Sequence, residues 1–234
     1  MNMKPSIKKI AFLVAKPGLS DAAFRYHWRE IHGPLVAGSP GYRSWRLRYV
    51  QNHVMAAGPV GSPFAFAGMA EFWLPGSSPN EDAFSATDVY RDRIAPDERN
   101  FIDMNRTISF AATEQVLNAG KAPVKVITLS RRPAGLDEAG QRMLLAQMVS
   151  RPGRISPRGW RVDHAIAGTF RLPGAAVAEP LAIDCMESLW FDSENDMHAH
   201  FRETRDERTH IFTDDGQMSF IADEYVFHDL FNDR

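Results

Sequence analysis

The chain has 234 residues, 27 of them basic and 29 acidic, and its formal net charge is −2 at pH 7. This balance gives no electrostatic reason to expect a nucleic-acid partner or an anionic membrane surface. The sequence has no apolar run of about eighteen residues and no signal segment at its start, so we expect no membrane insertion. Cys185 is the single cysteine, which excludes an intrachain disulfide and makes the cytoplasm the default location.

The first half predicts six elements in the order strand, helix, strand, strand, helix, strand. Apolar and polar residues alternate over residues 7–14, and a Pro17-Gly18 turn follows, as expected of a strand that ends in a turn. The six elements are predicted near residues 7–15, 20–36, 43–54, 66–74, 79–94 and 106–117. The second helix is expected to start after residues 79–82.

The first predicted helix has clear start signals and one apolar face. Ser20 is a favourable N-cap, and Asp21 places negative charge where the helix dipole favours it. Apolar side chains recur at helical spacing and are expected to face a sheet; they are Phe24, Trp28, Ile31 and Leu35.

The two halves of the chain are related by duplication. Three pairs of residues recur at a constant separation of 117 positions: Ile7 with Val124, Trp73 with Trp190, and Phe84 with Phe201. A constant spacing across separate elements indicates an internal repeat. The second half therefore repeats the order of the first.

This βαββαβ order is that of the ferredoxin-like motif. One such sheet has helices on one face and needs cover on the other. We therefore predict an α+β protein in which two tandem units pack sheet on sheet, as a dimeric α+β barrel within one chain. The predicted units are residues 1–117, where we expect the active pocket, and residues 121–234. The chain is expected to act alone or to associate further as a homodimer.

Two histidines lie on the first helix, in the stretch His27-Trp28-Arg29-Glu30-Ile31-His32. At 100° per residue they fall at opposite margins of the apolar face. His32 precedes Gly33-Pro34, which normally ends or kinks a helix. A histidine at such an end is suited to proton transfer into a cavity. The alternative is that both are interior residues bonded to backbone carbonyls.

A polar run ends the second predicted strand. By strand alternation Tyr49, Gln51 and His53 share one face, and Asn52 takes the other. A phenol, an amide and an imidazole on one face suit a pocket wall that orients a substrate oxygen. The alternative is a solvent-exposed strand end.

Carboxylates and tryptophans on the remaining strands complete the candidate set. Glu71 and Glu187 are predicted to occupy matching strand positions in the two repeats. Each is a candidate acid or base, although a strand carboxylate is more often exposed or paired with arginine. Trp28 and Trp73 are candidate apolar walls. No metal-ligand spacing, phosphate loop or nucleotide fingerprint is present, so we expect neither a metal nor an organic cofactor.

The motifs of the first half resemble those of the EthD family. The resemblance rests on separated motifs that occur in order over the whole first half; they are residues 16–20, Phe24, His27-Trp28, residues 32–36, residues 49–53 and residues 68–73. It implies the dimeric α+β barrel fold and action on small aromatic or polyketide-like molecules without a bound organic cofactor. It also implies that His32 and the strand from Tyr49 to His53 line the pocket.

The second half departs from this pattern. Ser150-Arg151-Pro152-Gly153 stands where a His-Gly-Pro element would recur, and residues 164–168 replace the polar strand end. We therefore expect the second half to be mainly a structural partner.

Three functions remain open. The first is a cofactor-independent lyase or isomerase in which His32, or His27, exchanges a proton with a small hydrophobic or aromatic substrate. The second is a cofactor-free or haem-dependent oxygenase. The third is a non-enzymatic module that binds a hydrophobic metabolite.

Overall fold

The computed structural model describes residues 7–76, 84–151, 154–170 and 183–230. Its strands are β1 (Ile7–Leu13), β2 (Arg48–Ala57), β3 (Ser62–Pro63), β4 (Gly68–Trp73), β5 (Ile108–Ala119), β6 (Val124–Arg131), β7 (Gly159–Ala165), β8 (Cys185–Phe191) and β9 (Thr213–Asp229). The four strands predicted for the first half are thus present, but β2 begins at Arg48 and not near residue 43, because Tyr42–Trp45 form a short helix. The two-residue strand β3 was not expected.

The helices of the first half are broken into short segments. They are α1 (Asp21–Tyr26), a π-helical turn (His27–His32), α2 (Gly33–Ala37), α3 (Tyr42–Trp45), a 3₁₀ turn (Phe84–Ala86), a second π-helical turn (Tyr90–Ile94) and α4 (Ala95–Phe101). The second half has α5 (Glu138–Val149), α6 (Glu194–Glu203) and α7 (Arg205–Arg208). The predicted start of the second helix at residues 79–82, and Pro152-Gly153, lie outside the described residues. No described helix is both long and apolar enough to cross a bilayer.

The strands close into a barrel. The hydrogen-bonded order is β2-β4-β1-β5-β7-β8-β6-β9, and β9 also pairs with β2. Eight strands therefore form a closed antiparallel barrel, to which β3 adds in parallel beside β9. The two repeats meet where β5 pairs with β7 and where β2 pairs with β9. Closure removes the exposed sheet edges. The predicted intrachain α+β barrel is confirmed.

The strand registers confirm that the repeats correspond. Lys8 pairs with Trp73 in the first repeat, and Lys125 pairs with Trp190 in the second. Each residue of the second pair stands 117 positions after its equivalent in the first. Equivalent strands of the two repeats thus have the same alignment, and equivalent side chains face the same side of the barrel wall.

Apolar side chains form one core within the barrel and one core between the barrel and each group of helices. The barrel core includes Ile10, Phe12, Phe110 and Phe220. The helices of the first half cover a second core around Phe24, Trp28, Tyr49 and Phe101. The helices of the second half cover a third around Leu145, Trp160, Leu189 and Phe201.

The chain stays helical through Gly33-Pro34 to Ala37, in agreement with the helix predicted over residues 20–36. Gly33 and Pro34 begin α2, where Pro34 occupies the first turn and needs no hydrogen bond to a preceding carbonyl. Gly33 is required by packing, because a Cβ atom there would lie 2.4 Å from the ring of Phe227.

Gly33→Ala is therefore expected to lower the free energy of unfolding by about 1–3 kcal/mol, the usual cost of overpacking. Urea denaturation measures this change. When Phe227 is already alanine, adding Gly33→Ala should cost little further stability, since the clash partner is gone. Additive losses in the double variant would contradict the packing explanation.

Candidate functional site

The first helix begins as predicted and then changes its winding. Ser20 caps α1, its hydroxyl accepting from the backbone N–H of Ala23 at 3.2 Å. The chain then adopts π-helical geometry over His27–His32, in which hydrogen bonds join residues five apart. That winding brings the side chains of residues five positions apart onto one side of the helix. The expectation that His27 and His32 lie at opposite margins assumed an α-helix and was wrong.

Both histidines bind the same carboxylate. Nδ1 of His32 lies 2.8 Å from Oδ2 of Asp97, and Nε2 of His27 lies 2.9 Å from Oδ1. Asp97 is on α4, whose last residue, Phe101, packs against both imidazole rings at centroid distances of 4.8 and 4.9 Å. His32 is 5% exposed. The π-turn and α4 together form a buried imidazole–carboxylate cluster.

Hydrogen bonding determines which nitrogen of His32 is free. The bond from His32, reinforced by that from His27, lowers the pKa of Asp97, so this carboxyl group is ionised and only accepts hydrogen bonds. Nδ1 of His32 must therefore carry the proton that is donated. Nε2 has no hydrogen-bond partner among the described residues. It is the nitrogen left for a ligand.

His32 lines a cavity of about 130 Å³ between the barrel and the helices of the first half. The cavity walls are largely apolar: Leu13, Val36, Phe72, Phe84, Ile94, Ile102 and Met104. Polar groups also border it, from Lys9, Arg46, Tyr90, Glu98 and Thr107 among others. All described residues that line it fall between positions 9 and 109 of the chain. The cavity thus combines an apolar volume with a few convergent polar groups, as ligand sites do.

Asp97 and Glu98 were missed by the sequence analysis. The second helix was predicted to end at residue 94, before Pro96, whereas the described chain stays helical to Phe101. Proline in the first turn of a helix followed by acidic residues is a start signal. The sequence Pro96-Asp97-Glu98 has this pattern. It would have predicted a further helix that carries two carboxylates beside the first predicted helix.

The predicted polar face of β2 is present but does not line the His32 cavity. Gln51 Nε2 donates to the Trp28 carbonyl and to Tyr49 Oη, each at 2.8 Å, and His53 Nε2 lies 2.9 Å from Gln51 Oε1. Tyr49 and Gln51 are fully buried. Burial raises the pKa of Tyr49 well above its usual value and lowers that of His53 to about 4. This row of bonds fixes β2 to the helix.

The rings of Trp28 and His53 pack together beside the hydrogen bonds of Gln51. Their rings lie 4.4 Å apart, and a Cβ on Gly68 would come within 2.3 Å of the Trp28 ring. Trp28 is therefore packed into the core, away from the His32 cavity. His53 borders a separate surface cleft of about 310 Å³ with Arg25, Arg29 and Tyr225.

The other predicted residues, Asn52, Glu71 and Trp73, face the inside of the barrel. Asn52 Nδ2 donates to Glu71 Oε2 at 2.8 Å, and Lys125 Nζ donates to Asn52 Oδ1 at 2.6 Å. The ammonium of Lys8 lies 4.1 Å from the centre of the Trp73 ring. These three residues belong to a buried ionic cluster, and the barrel wall separates them from the His32 cavity.

One ammonium in that cluster is surrounded by three carboxylates. Lys8 Nζ lies 2.9 Å from Glu71, 2.8 Å from Glu114 and 3.0 Å from Asp163. Lys125 Nζ, its repeat equivalent, pairs with Glu224 at 2.6 Å. Burial first, and then the charges of Glu114 and Glu71, raise the pKa of Asp163 to about 7. Asp163 is thus the carboxyl group of this cluster that takes up a proton most readily.

The raised pKa of Asp163 predicts a pH dependence of stability. An acid whose pKa is higher in the folded than in the unfolded state favours folding when protonated, and this contribution is lost as pH rises through about 7. Asp163→Asn is expected to show a smaller fall in Tm between about pH 5 and pH 8 than the wild type. Thermal denaturation across this range measures it, and identical slopes for both proteins would contradict the assignment.

Glu71 and Glu187 do not occupy equivalent positions. Glu71 pairs with Ile10 in the first repeat, whereas Ser188 pairs with the equivalent Ile127 in the second. Glu187 is shifted by one residue and faces the helices, because successive strand side chains alternate. There it forms an ion pair with Arg208. The prediction that a strand carboxylate pairs with arginine is confirmed for Glu187, while Glu71 pairs with lysine.

A larger cleft, of about 450 Å³, lies beside α6 and α7. It is lined by His198, Arg202, Arg205 and Arg208, and neither His164 nor Glu187 borders it. This cleft is larger than the cavity beside His32 but does not contain the imidazole–carboxylate cluster. Reactive groups, and not volume, define a catalytic site, so the imidazole–carboxylate cluster marks the candidate site.

Solved structures with the same architecture cover nearly the whole chain. An anthrone oxidase-like protein is 13% identical, with 98% of this chain and 96% of that chain covered and a TM-score of 0.56. A candidate monooxygenase from Lactobacillus acidophilus NCFM is 11% identical, with 97% of each chain covered and a TM-score of 0.53. A candidate chlorite dismutase is 8% identical, with 94% and 96% covered and a TM-score of 0.53. At these identities the likeness shows the fold alone, the dimeric α+β barrel.

Residues 16–105 match the model of the EthD domain. This match lies within the first half of the chain and confirms the resemblance seen there in the sequence. The matched range contains His27, His32, Asp97 and Glu98. No curated protein matches the chain.

Proposed function

We propose that the chain is an enzyme in which His32 removes a proton from a small aromatic molecule without the help of an organic cofactor. One observation carries this proposal. The Nδ1 of His32 is bound to the ionised Asp97, while its Nε2 is unoccupied beside a largely apolar cavity. This is the arrangement in which a carboxylate orients a histidine base.

Each residue of the cluster has a distinct part in the proposed reaction. A substrate C–H or O–H bond breaks, and its proton passes to Nε2 of His32. Asp97 holds His32 in the tautomer that is protonated at Nδ1, and it stabilises the imidazolium that forms, as the acidic member of a catalytic triad does. His27 binds the other Asp97 oxygen at 2.9 Å and so keeps the carboxylate in place. Asp97 and His27 are positioning residues.

A lyase or isomerase reaction needs little beyond this proton transfer, because the anion that His32 generates then expels a leaving group or is reprotonated elsewhere. A second candidate is cofactor-free oxygenation, in which the same anion reacts with dioxygen. The names of the structural neighbours, an anthrone oxidase-like protein and a candidate monooxygenase, favour this second outcome. Both candidates begin with the same deprotonation.

The residues around His32 do not fit a haem. A cavity of 150 Å³ holds one benzene molecule, and the cavity beside His32 measures about 130 Å³, far below the volume of a macrocycle. We therefore derive no haem-dependent step. A purely binding role is disfavoured by the charge-paired histidine, since recognition of an apolar metabolite requires no base oriented by a buried carboxylate.

The functional division of the chain is also part of this proposal. Residues 1–117 carry the active pocket and residues 121–234 serve as the structural partner. All described residues that line the cavity come from the first range, which supports this division.

A screen without added cofactor tests the proposal. The protein would be incubated with single-ring phenols and aryl ketones in D₂O, both under nitrogen and in air. Proton NMR reports deuterium uptake or elimination, and an oxygen electrode reports oxygenation. Exchange or elimination under nitrogen identifies a lyase or isomerase, and oxygen uptake identifies an oxygenase. Any of these activities that survives replacement of His32 would refute its role as the base.

A further inference from the structure

Two consecutive carboxyl groups of α4 have opposite electrostatic environments. Asp97 is bonded to two imidazoles, which lower its pKa, whereas burial raises the pKa of Glu98. Active sites commonly hold such a pair, one group charged and the other neutral, near the working pH. Asp97 already has a part in the proposed function, and Glu98 has none.

The geometry around Glu98 leaves one of its oxygens available. Tyr90 Oη donates to Glu98 Oε2 at 2.8 Å. Oε1 has no hydrogen-bond partner among the described residues. Glu98 lines the same cavity as His32. Tyr90 holds Glu98 through Oε2. When Glu98 is protonated on Oε1, that hydroxyl group is available to a ligand in the cavity.

Charged groups from several of the elements that border the cavity surround Glu98. His32 and Lys9 favour its ionisation and Asp97 opposes it. Arg46 borders the cavity beside β4. Burial outweighs the ionising contributions.

We propose that Glu98 is a second catalytic residue, which donates a hydrogen bond from its neutral carboxyl group to a substrate oxygen while His32 takes the proton. This inference rests on the proposed function and names its substrate class. The substrate is a single-ring phenol or aryl ketone, whose oxygen becomes negative when the proton leaves. The ring occupies the apolar part of the cavity, since a cavity of similar volume, 150 Å³, binds benzene.

The proton balance of the step is simple. For a phenol, the O–H bond breaks, an N–H bond forms at Nε2 of His32, and the phenolate oxygen accepts from Glu98. A neutral carboxyl group that hydrogen-bonds a developing oxyanion stabilises it strongly in a site with little water. An ionised Glu98 would instead repel it.

4-Nitrophenol tests this step directly, because its neutral and ionised forms differ in visible absorption. The wild type is expected to bind it as the phenolate. Glu98→Leu removes the donor and should weaken binding of the phenolate about 10- to 100-fold, as for a hydrogen bond to a charged group. Glu98→Gln keeps a donor and should retain binding. Its affinity should fall less with rising pH than that of the wild type, because both proteins share the ionisation of the probe and of His32 but only the wild type also loses the Glu98 proton.

The possible outcomes separate this inference from the proposed function. His32→Ala should leave any bound probe neutral. If the wild type ionises the probe and Glu98→Leu binds the phenolate with wild-type affinity, Glu98 has no such role although His32 remains the base. If the wild type does not bind the probe as the phenolate, both proposals fail. Infrared difference spectra give an independent check, since subtracting the Glu98→Gln spectrum from that of the wild type should leave the protonated carboxyl band of Glu98, while the band of Asp163 cancels. Glu194→Gln, at an exposed position of the second half, is the matched control and should behave as the wild type.

Discussion

Replacing His32 with alanine is expected to lower the rate on any substrate found by the cofactor-free screen by roughly 10²- to 10⁴-fold, the usual contribution of a general base. The physical reason is that Nε2 of His32 is the basic atom left open beside the cavity, while Nδ1 is committed to Asp97. The barrel should remain folded, since its ionic and apolar clusters do not involve His32. Steady-state rates with circular dichroism on the same samples measure both effects.

Two further variants sharpen this test. Asp97→Asn keeps the shape of the side chain but removes the charge that fixes the tautomer, and it should lower the rate with little change in KM. His198→Ala removes an exposed histidine of the second half and should leave the rate unchanged. Full activity in His32→Ala, or an equal loss in His198→Ala, would refute the assignment of the base.

The largest effect on stability is expected from Lys8→Met. The substitution keeps an unbranched side chain but removes the ammonium that lies within 3.0 Å of Glu71, Glu114 and Asp163. Lys8 is 1% exposed, so its carboxylate partners lose their counter-charge in a region that water does not reach. Loss of one partner of a buried ion pair typically costs 3–5 kcal/mol. Urea denaturation should show a loss of about this size, or a protein that no longer folds.

The pH dependence distinguishes this charge effect from a packing effect. At about pH 5 the uncompensated carboxyl groups take up protons more readily, so the deficit of Lys8→Met should be smaller than at pH 8. Lys16→Met, at an exposed lysine of the same half, should change stability by less than about 0.5 kcal/mol. A deficit that does not vary with pH would indicate that packing, and not charge, is responsible.

Local patterns in the sequence were sufficient to predict the architecture. Strand alternation, the Ser20 cap and the repeat of 117 positions each depend on residues close in the chain or on strict periodicity. Two ferredoxin-like sheets each leave one face uncovered, so their association into a barrel follows from the need to bury apolar surface. The motifs around His32 were likewise sufficient to identify the EthD domain.

The interior of the barrel was not accessible to this reasoning. Lys8 and Lys125 looked like ordinary polar residues of alternating strands, although each is an inward-facing charge neutralised by carboxylates from other strands. Strand alternation separates two faces but does not say which face is buried when both carry polar groups. Asn52 and Glu71 were assigned to the substrate pocket for this reason.

The sequence alone determined the fold and the repeat and identified His32 as a candidate site residue. The tertiary structure decided which residues contact His32. The π-helical winding of residues 27–32 places both histidines on one side of the helix, and α4 supplies Asp97 and Glu98 from about 65 positions further along the chain. Sequence periodicity reports one element at a time, whereas a site of this kind arises where two elements pack.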